Sequence, residues 1–281
     1  MTRISPKLLL AVAGLLIAGS SHAQTMTPTD ETAVQQALNR GQLIYAFDQA
    51  AWHATDALLA DAKRLGRTGD LGAKFGGWIV RPKDSETLEV LFFEREPGSP
   101  NVLYRAITSA SGDVVRSHGF VDENSQQFDA QALRMITARR AGIEAMMKQG
   151  ILRCASAQFN SIVLPPETPE GPIPVYLLSP QTDLAKVPFG GHARVLIAAD
   201  GTVGPVHSFT KGCLDLPTRN AKNAPVMSMA TLVLDPHPTE VSVFTMLAAG
   251  LPLYIATPDR RIWILDSPDG KAKISLLQSD K

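Results

Sequence analysis

Two histidines and an arginine stand close together in a predicted β-hairpin, where they could bind an anion or a metal ion. The pair Asp200-Gly201 predicts a two-residue type I′ turn between two strand-like segments. That turn places Arg194 opposite His207 and makes His192 a diagonal neighbour of His207. Guanidinium and imidazole groups bind anions, and neutral imidazole is a common metal ligand. The hairpin therefore predicts a site for a small anionic ligand.

Two other interpretations of the same residues remain open. A metal-dependent hydrolase could use His192, His207 and His237 as ligands, completed by Asp215, Asp235 or Glu240. No HExxH or HxH motif supports that alternative. The pattern is also typical of the polar, solvent-facing side of an edge strand, a placement that Pro205 favours.

A second set of candidate binding residues lies on a long predicted helix. Tyr45, Asp48, Trp52 and Asp56 follow one another at spacings of three and four, so they share one face of that helix. Two carboxylates that flank a tryptophan could bind a sugar or a cation. Alternatively, the face packs on a neighbouring element and the tryptophan N–H donates to a carboxylate.

The two cysteines of the chain, Cys154 and Cys213, are expected to form a disulfide. The chain-entropy model makes a bridge over a loop of about 60 residues worth roughly 4 kcal/mol. A thiol nucleophile and half of a metal site are the alternatives. Neither cysteine belongs to a CxxC motif, which argues against a thioredoxin-like redox function.

The expectation of a disulfide follows from the first 23 residues, which have the pattern of a secretory signal peptide. Arg3 and Lys7 form a basic start, and residues 8–18 form an apolar run that is too short to span a membrane. Small residues at positions 21 and 23 predict cleavage between Ala23 and Gln24. The mature protein is thus expected in the periplasm or the medium, with no stable insertion in a membrane.

Hydrophobic periodicity predicts an α+β fold for the rest of the chain. Residues 24–164 form a helix, meander and helix unit, with helices from Glu31 and from Gln42 to Leu65, a glycine-rich loop, four strands and a helix over 129–148. Residues 165–174 are a proline-rich linker, and residues 175–281 a β-rich unit that could share one core with the first. Residues 240–247 are ambiguous between strand and helix. The prediction is two amphipathic helices packed on antiparallel meander sheets.

Composition narrows the function class without identifying it. The chain has 27 basic and 27 acidic residues, and removal of the leader leaves a small negative net charge. That balance gives no reason to expect a nucleic-acid partner. The sequence contains no GxSxG, P-loop, GxGxxG or SxxK motif, and nothing in it predicts a cofactor.

Several segments resemble exported bacterial proteins with no assigned function. They are residues 188–195, Asp200-Gly201, 208–213, 237–244 and 251–257, and the stretch from Tyr45 to Asp56 fits the same pattern. The resemblance implies a Gram-negative periplasmic or secreted setting and assigns no catalytic residue. The leading prediction is a non-enzymatic binding or interaction module, with an envelope protein or a small anionic ligand as its partner. The metal-dependent hydrolase is the alternative.

Overall fold

The computed structural model describes residues 26–95, 100–122 and 127–277. The predicted leader and its cleavage site lie outside these residues. The described part contains four helices and 14 strands, and its sheets are antiparallel except for one parallel strand pair. The predicted α+β class with a β-rich C-terminal half is confirmed.

The helices and strands follow one another in this order. The first half contains α1 (Pro28–Arg64), α2 (Thr68–Lys74), β1 (Phe75–Pro82), β2 (Thr87–Glu94), β3 (Val102–Ser109), β4 (Val115–Phe120), α3 (Ala130–Gln149) and β5 (Asn160–Val163). Then come β6 (Ile173–Leu178), β7 (Lys186–Pro188), β8 (Ala193–Ile197), β9 (His207–Ser208), β10 (Asp215–Pro217) and β11 (Ser228–Thr231). The chain ends with α4 (Glu240–Ala249), β12 (Leu253–Ala256), β13 (Ile262–Asp266) and β14 (Lys273–Leu276).

Helix α1 is longer than the sequence predicted, and it has no break at Gly41. It begins after the N-cap Thr27, whose hydroxyl oxygen accepts from the N–H of Asp30 while the Asp30 carboxylate accepts from the Thr27 N–H. A Cβ at Gly41 would lie 2.5 Å from Cβ of Val243. The glycine therefore serves the close crossing of α1 and α4 rather than ending a helix.

Strands β1 to β4 form the predicted antiparallel meander in sequential order. The glycine-rich stretch before it is not all loop, because residues 68–74 form α2. Helix α3 matches its prediction, with Asp129 as N-cap and Gly150 in the left-handed conformation after its end. Met146 lies on its buried face, whereas Met147 is exposed.

In the second half, residues 240–247, which the sequence left ambiguous between strand and helix, belong to helix α4. Thr239 and Ser242 make a capping box at its start, and Gly250 ends it in a left-handed conformation. Strand β11 precedes this helix in sequence, and strands β12, β13 and β14 follow it. The four strands form one sheet, in which β11 pairs with β12 in parallel. Such a parallel pair requires a crossover, and α4 is that crossover.

The predicted hairpin forms the strands β8 and β9, at the edge of the sheet β5-β6-β8-β9. Its turn is not type I′, because only Gly201 has a positive φ, at 85°. The N–H of Ala198 donates to Thr202 O, which gives a three-residue loop. One extra residue on the second strand then restores the predicted pairing of Arg194 with His207.

Buried side chains from both sides of the proline-rich segment pack together. One hydrophobic cluster contains Phe47 and Phe92 from the first half and Tyr176 and Phe244 from the second. The predicted disulfide between Cys154 and Cys213 is present, with 5.3 Å between the Cα atoms. No helix among the described residues is long and apolar enough to cross a membrane.

Candidate functional site

A well-formed concavity lies between α1 and α4. It has a volume of about 610 Å³, which falls within the range of small-molecule sites. Strands β1, β5 and β7 and the segment that follows β6 complete its walls. The lining side chains include Tyr45, Asp48, Trp52, Phe75, Trp78, Asn160, Leu178, Ser179, Leu184, Pro188, Arg219, Phe244 and Leu247. We call it the aromatic cleft.

Three of the four residues predicted on the α1 face line the aromatic cleft. Tyr45, Asp48 and Trp52 are separated by three and four positions, so the helix turns all three toward the same side. The adjacent stripe of α1, with Ile44 and Phe47, is fully buried in the core. The fourth predicted residue, Asp56, is exposed and does not line the cleft.

Aromatic rings form much of the wall of this cleft. The rings of Phe75 and Trp78 lie with their centroids 6.2 Å apart, tilted by 33°. Trp52 is 50% exposed, and its ring stacks on that of His53 at 4.9 Å. Nε1 of Trp78 is buried and has no hydrogen-bond partner in the described part of the chain. A half-exposed tryptophan at the edge of a concave apolar wall is well placed to contact a ligand.

Asp48 is the acidic group of the aromatic cleft. Burial raises the pKa of its carboxyl to about 6, and a hydrogen bond from Asn160 opposes that rise. This bond is long, with 3.5 Å between Nδ2 of Asn160 and Oδ1 of Asp48. Among the described residues, no cationic side chain pairs with Asp48. At neutral pH the cleft therefore holds a carboxylate that lacks a cationic partner.

Arg219 is the basic group of the aromatic cleft, and its side chain has a structural contact. Its Nε and Nη2 atoms donate to the carbonyl oxygen of Gly250, at 3.2 and 2.9 Å. The guanidinium thus binds the carbonyl that ends α4, where a cation is favourable. Burial raises the pKa of Tyr45, and the charge of Arg219 opposes that rise. Tyr45 therefore lies within the electrostatic reach of this arginine.

His192 lies behind the wall of the aromatic cleft and contacts residues that line it. The N–H of Ser179 donates to Nδ1 of the ring at 3.1 Å, so Nδ1 carries no hydrogen. Nε2 then donates to the carbonyl of Pro188 at 3.0 Å. The ring also lies edge-on against Phe244, with the centroids 6.2 Å apart. Burial lowers the pKa of His192 to about 4, so the ring is neutral and holds three cleft-lining residues in place.

The other hairpin residues line a smaller concavity of about 160 Å³, which we call the charged pocket. Arg194 forms an ion pair with Glu240, which also accepts a hydrogen bond from the Tyr176 hydroxyl at 3.0 Å. His207 lies 3.1 Å from a carboxylate oxygen of Asp235. Each basic residue of the hairpin thus has its own carboxylate partner.

His237 also lines the charged pocket, and it contacts the start of α1. Its Nε2 lies 2.6 Å from Oδ1 of Asp30. Arg261 donates to both oxygens of the same carboxylate, at 2.8 and 2.9 Å. These contacts hold the pKa of Asp30 far below its usual range, with the Arg261 hydrogen bond as the main cause. The ion pair of Asp30 with Arg261 joins the start of α1 to the residue that precedes β13.

The structure brings only part of the proposed metal set into one concavity, since His207, His237, Asp235 and Glu240 line the charged pocket and His192 and Asp215 do not. His192 lies beneath the aromatic cleft, Asp215 is exposed on β10, and His207 and His237 face different carboxylates. The described residues contain no group of three or more His, Cys, Asp or Glu placed to hold a metal ion. A small anionic ligand at Arg194 and His207 stays a prediction. Both side chains already contact a carboxylate of the protein, Glu240 and Asp235 respectively.

Sequence reasoning missed most of the aromatic cleft. Phe75 and Trp78 on β1, Asn160 on β5 and Arg219 after β10 come from three separate segments, and no local spacing connects these segments. The available signal is the pair of glycines before Trp78, which the sequence pattern assigns to a loop. His192 was singled out as a ligand-facing residue, whereas its ring is buried and contacts protein on both nitrogens.

No protein-family model, curated protein or solved structure matches this chain. The function is therefore argued from the geometry and chemistry of the two concavities alone.

Proposed function

We propose that this chain is an exported, non-enzymatic binding protein that takes a small ligand in the aromatic cleft. The predicted leader, cleaved between Ala23 and Gln24, and the disulfide between Cys154 and Cys213 support export to an oxidising compartment. One observation carries the binding function. A cleft of about 610 Å³ combines aromatic walls with a carboxylate, that of Asp48, which no cation among the described residues neutralises.

The balance of apolar and polar groups supports binding rather than catalysis. Small-molecule sites are mostly apolar and use a few polar groups to orient the ligand. The aromatic cleft fits this description, with Asp48, Asn160 and Arg219 among its aromatic and aliphatic side chains. A hydrolase would need a nucleophile or an activated water beside its acid-base group.

The three tryptophans of the chain provide a direct test of binding. Trp52 and Trp78 line the cleft, whereas Trp263 is buried in another cluster with its N–H donated to Thr257. Three probes share a phenyl ring on a short chain: 2-phenylethanol, phenethylammonium and phenylacetate. We expect at least one probe to shift the indole signals of Trp52 and Trp78 in a ¹⁵N NMR spectrum and to leave that of Trp263 unchanged.

Two matched variants test whether the probe lies in the cleft. Trp52→Ala removes an exposed wall ring, and Leu59→Ala removes an exposed apolar side chain of the same helix outside the cleft. We expect about a tenfold loss of probe affinity in the first variant, because stacked aromatic area is lost, and none in the second. If no probe moves either cleft indole, the proposed function is wrong.

A further inference from the structure

The charge of the aromatic cleft indicates the class of ligand that it takes. An ionised carboxylate in apolar surroundings is unfavourable unless a cation or several donors compensate it. Asp48 receives one hydrogen bond, from Asn160 at 3.5 Å, and that amide donor is neutral. Lining the cleft, its carboxylate remains open to a further partner. The missing partner is a cation.

The aromatic walls favour the same kind of ligand. The faces of tryptophan, tyrosine and phenylalanine rings carry negative charge density and attract ammonium groups, most strongly where water is displaced. Tyr45 and Trp52 are the neighbours of Asp48 along one face of α1, and the Phe75 and Trp78 rings belong to another wall. A carboxylate beside several rings is the arrangement that recognises an organic ammonium.

The basic group of the cleft has other contacts. Arg219 donates through two nitrogens to Gly250 O, and its guanidinium does not pair with Asp48. Arg219 is exposed, so water solvates its remaining donors, whereas burial raises the pKa of the Asp48 carboxyl. The unsatisfied charge of the cleft is thus the negative one.

We propose that the aromatic cleft binds a small organic cation with an apolar body, and that Asp48 is the counter-ion of its ammonium group. This inference rests on the proposed function, because it specifies the ligand of the same cleft. Asp48 sets the preference for charge, while the rings supply contact area for the rest of the ligand.

The three probes differ mainly in charge, so their affinities test the inference directly. They are titrated into the disulfide-bonded mature protein at about pH 8, where Asp48 is ionised and phenethylammonium is protonated. We expect phenethylammonium to bind about tenfold more tightly than 2-phenylethanol, and phenylacetate to bind most weakly. Asp48→Asn should abolish the advantage of the cation, so that phenethylammonium and 2-phenylethanol bind with similar affinities.

Asp56→Asn is the matched control, because it makes the same change on the same helix outside the cleft. It should preserve the preference for the cation. Three outcomes would each overturn the inference and leave the proposed function standing. They are equal affinity for the cation and the alcohol, tightest binding of phenylacetate, and an unchanged preference for the cation in Asp48→Asn. If no probe shifts Trp52 or Trp78, both are wrong.

Discussion

The aromatic cleft and the charged pocket both contain α4 residues, Phe244 and Leu247 in the cleft and Glu240 in the pocket, but the charges in the two concavities are compensated differently. In the charged pocket Arg194, His207 and His237 each face a carboxylate within the protein. In the aromatic cleft Asp48 faces one neutral amide at a long distance. The pocket with more ionisable groups is therefore the one with less unsatisfied charge.

This contrast separates two uses of charged side chains. Breaking a buried pair by removing one partner leaves an uncompensated charge, so a fully paired network holds elements together. A lone carboxylate in an apolar cleft destabilises the free protein and gains a partner only when a ligand arrives. The number of charged residues alone would favour the charged pocket over the aromatic cleft.

The largest expected effect concerns Asp30, which does not line the charged pocket but contacts His237, one of its lining residues. Asp30→Asn should lower the free energy of unfolding by about 3–5 kcal/mol, because Arg261 and His237 lose their shared anion and Arg261 remains largely buried. Urea unfolding followed by circular dichroism measures the change. The affinity of the folded fraction for phenethylammonium should stay as in the wild type.

The control for this change is the ion pair of Arg40 with Glu167, in which the carboxylate that is altered is exposed. Glu167→Gln should alter stability by less than about 1 kcal/mol, as is usual for surface ion pairs. A similarly small loss of stability in Asp30→Asn would mean that the ion pairs of this region do not stabilise the fold. A loss of probe affinity there would show that the two concavities are coupled.

The sequence predicted those parts of the fold that depend on local signals. The β1 to β4 meander follows from alternating strands and short turns, and α3 from its periodicity, the cap at Asp129 and the stop at Gly150. Gly41 misled the prediction because its role depends on Val243, about two hundred residues away. A glycine at a helix crossing and a glycine that ends a helix look alike in one sequence.

The same division applies to the candidate site. Helical spacing grouped Tyr45, Asp48 and Trp52 correctly, since all three lie on one element. The pairing of Arg194 with His207 was also predicted, but their carboxylate partners, Glu240 and Asp235, come from a distant segment. Whether a charged side chain is free or paired depends on tertiary contacts. The sequence alone therefore could not distinguish a charge that is open to a ligand from one in a structural ion pair.

The second prediction concerns His192, which belongs to the support of the aromatic cleft. His192→Ala should lower the free energy of unfolding by about 2–3 kcal/mol, because it opens a cavity and leaves the Ser179 N–H and the Pro188 carbonyl without partners. Unlike Asp30→Asn, it should also weaken phenethylammonium binding, since both freed groups belong to cleft-lining residues.

Calorimetric titration at a temperature where the variant is folded separates the two effects of this change. His192→Gln is a useful comparison, because its amide can replace one of the two hydrogen bonds and should recover part of the affinity. Normal binding by a destabilised His192→Ala protein would mean that the ring supports the core and has no influence on the cleft.

The smallest expected effect is a pH dependence in which the two cleft groups oppose each other. The pKa of His192 is lowered to about 4, so its contribution to stability is complete above its unfolded value of 6.5 and is lost as the pH falls toward 4. The pKa of Asp48 is raised to about 6 from 3.8, so its contribution is complete below 3.8 and is lost as the pH rises through 6. Between these limits the two slopes have opposite signs.

Asp48→Asn should expose the slope of His192 alone. We expect the variant to exceed the wild type in stability by about 1 kcal/mol near pH 7, where the wild type holds an unpaired carboxylate, with the difference vanishing near pH 4. Urea unfolding at a series of pH values measures it, and Asp56→Asn, which changes an exposed carboxylate, should show no such trend. If Asp48→Asn is no more stable than the wild type at neutral pH, the carboxylate is already compensated within the protein. In that case the contrast between a paired pocket and an unpaired cleft fails, because ligand binding would then have no uncompensated charge to relieve.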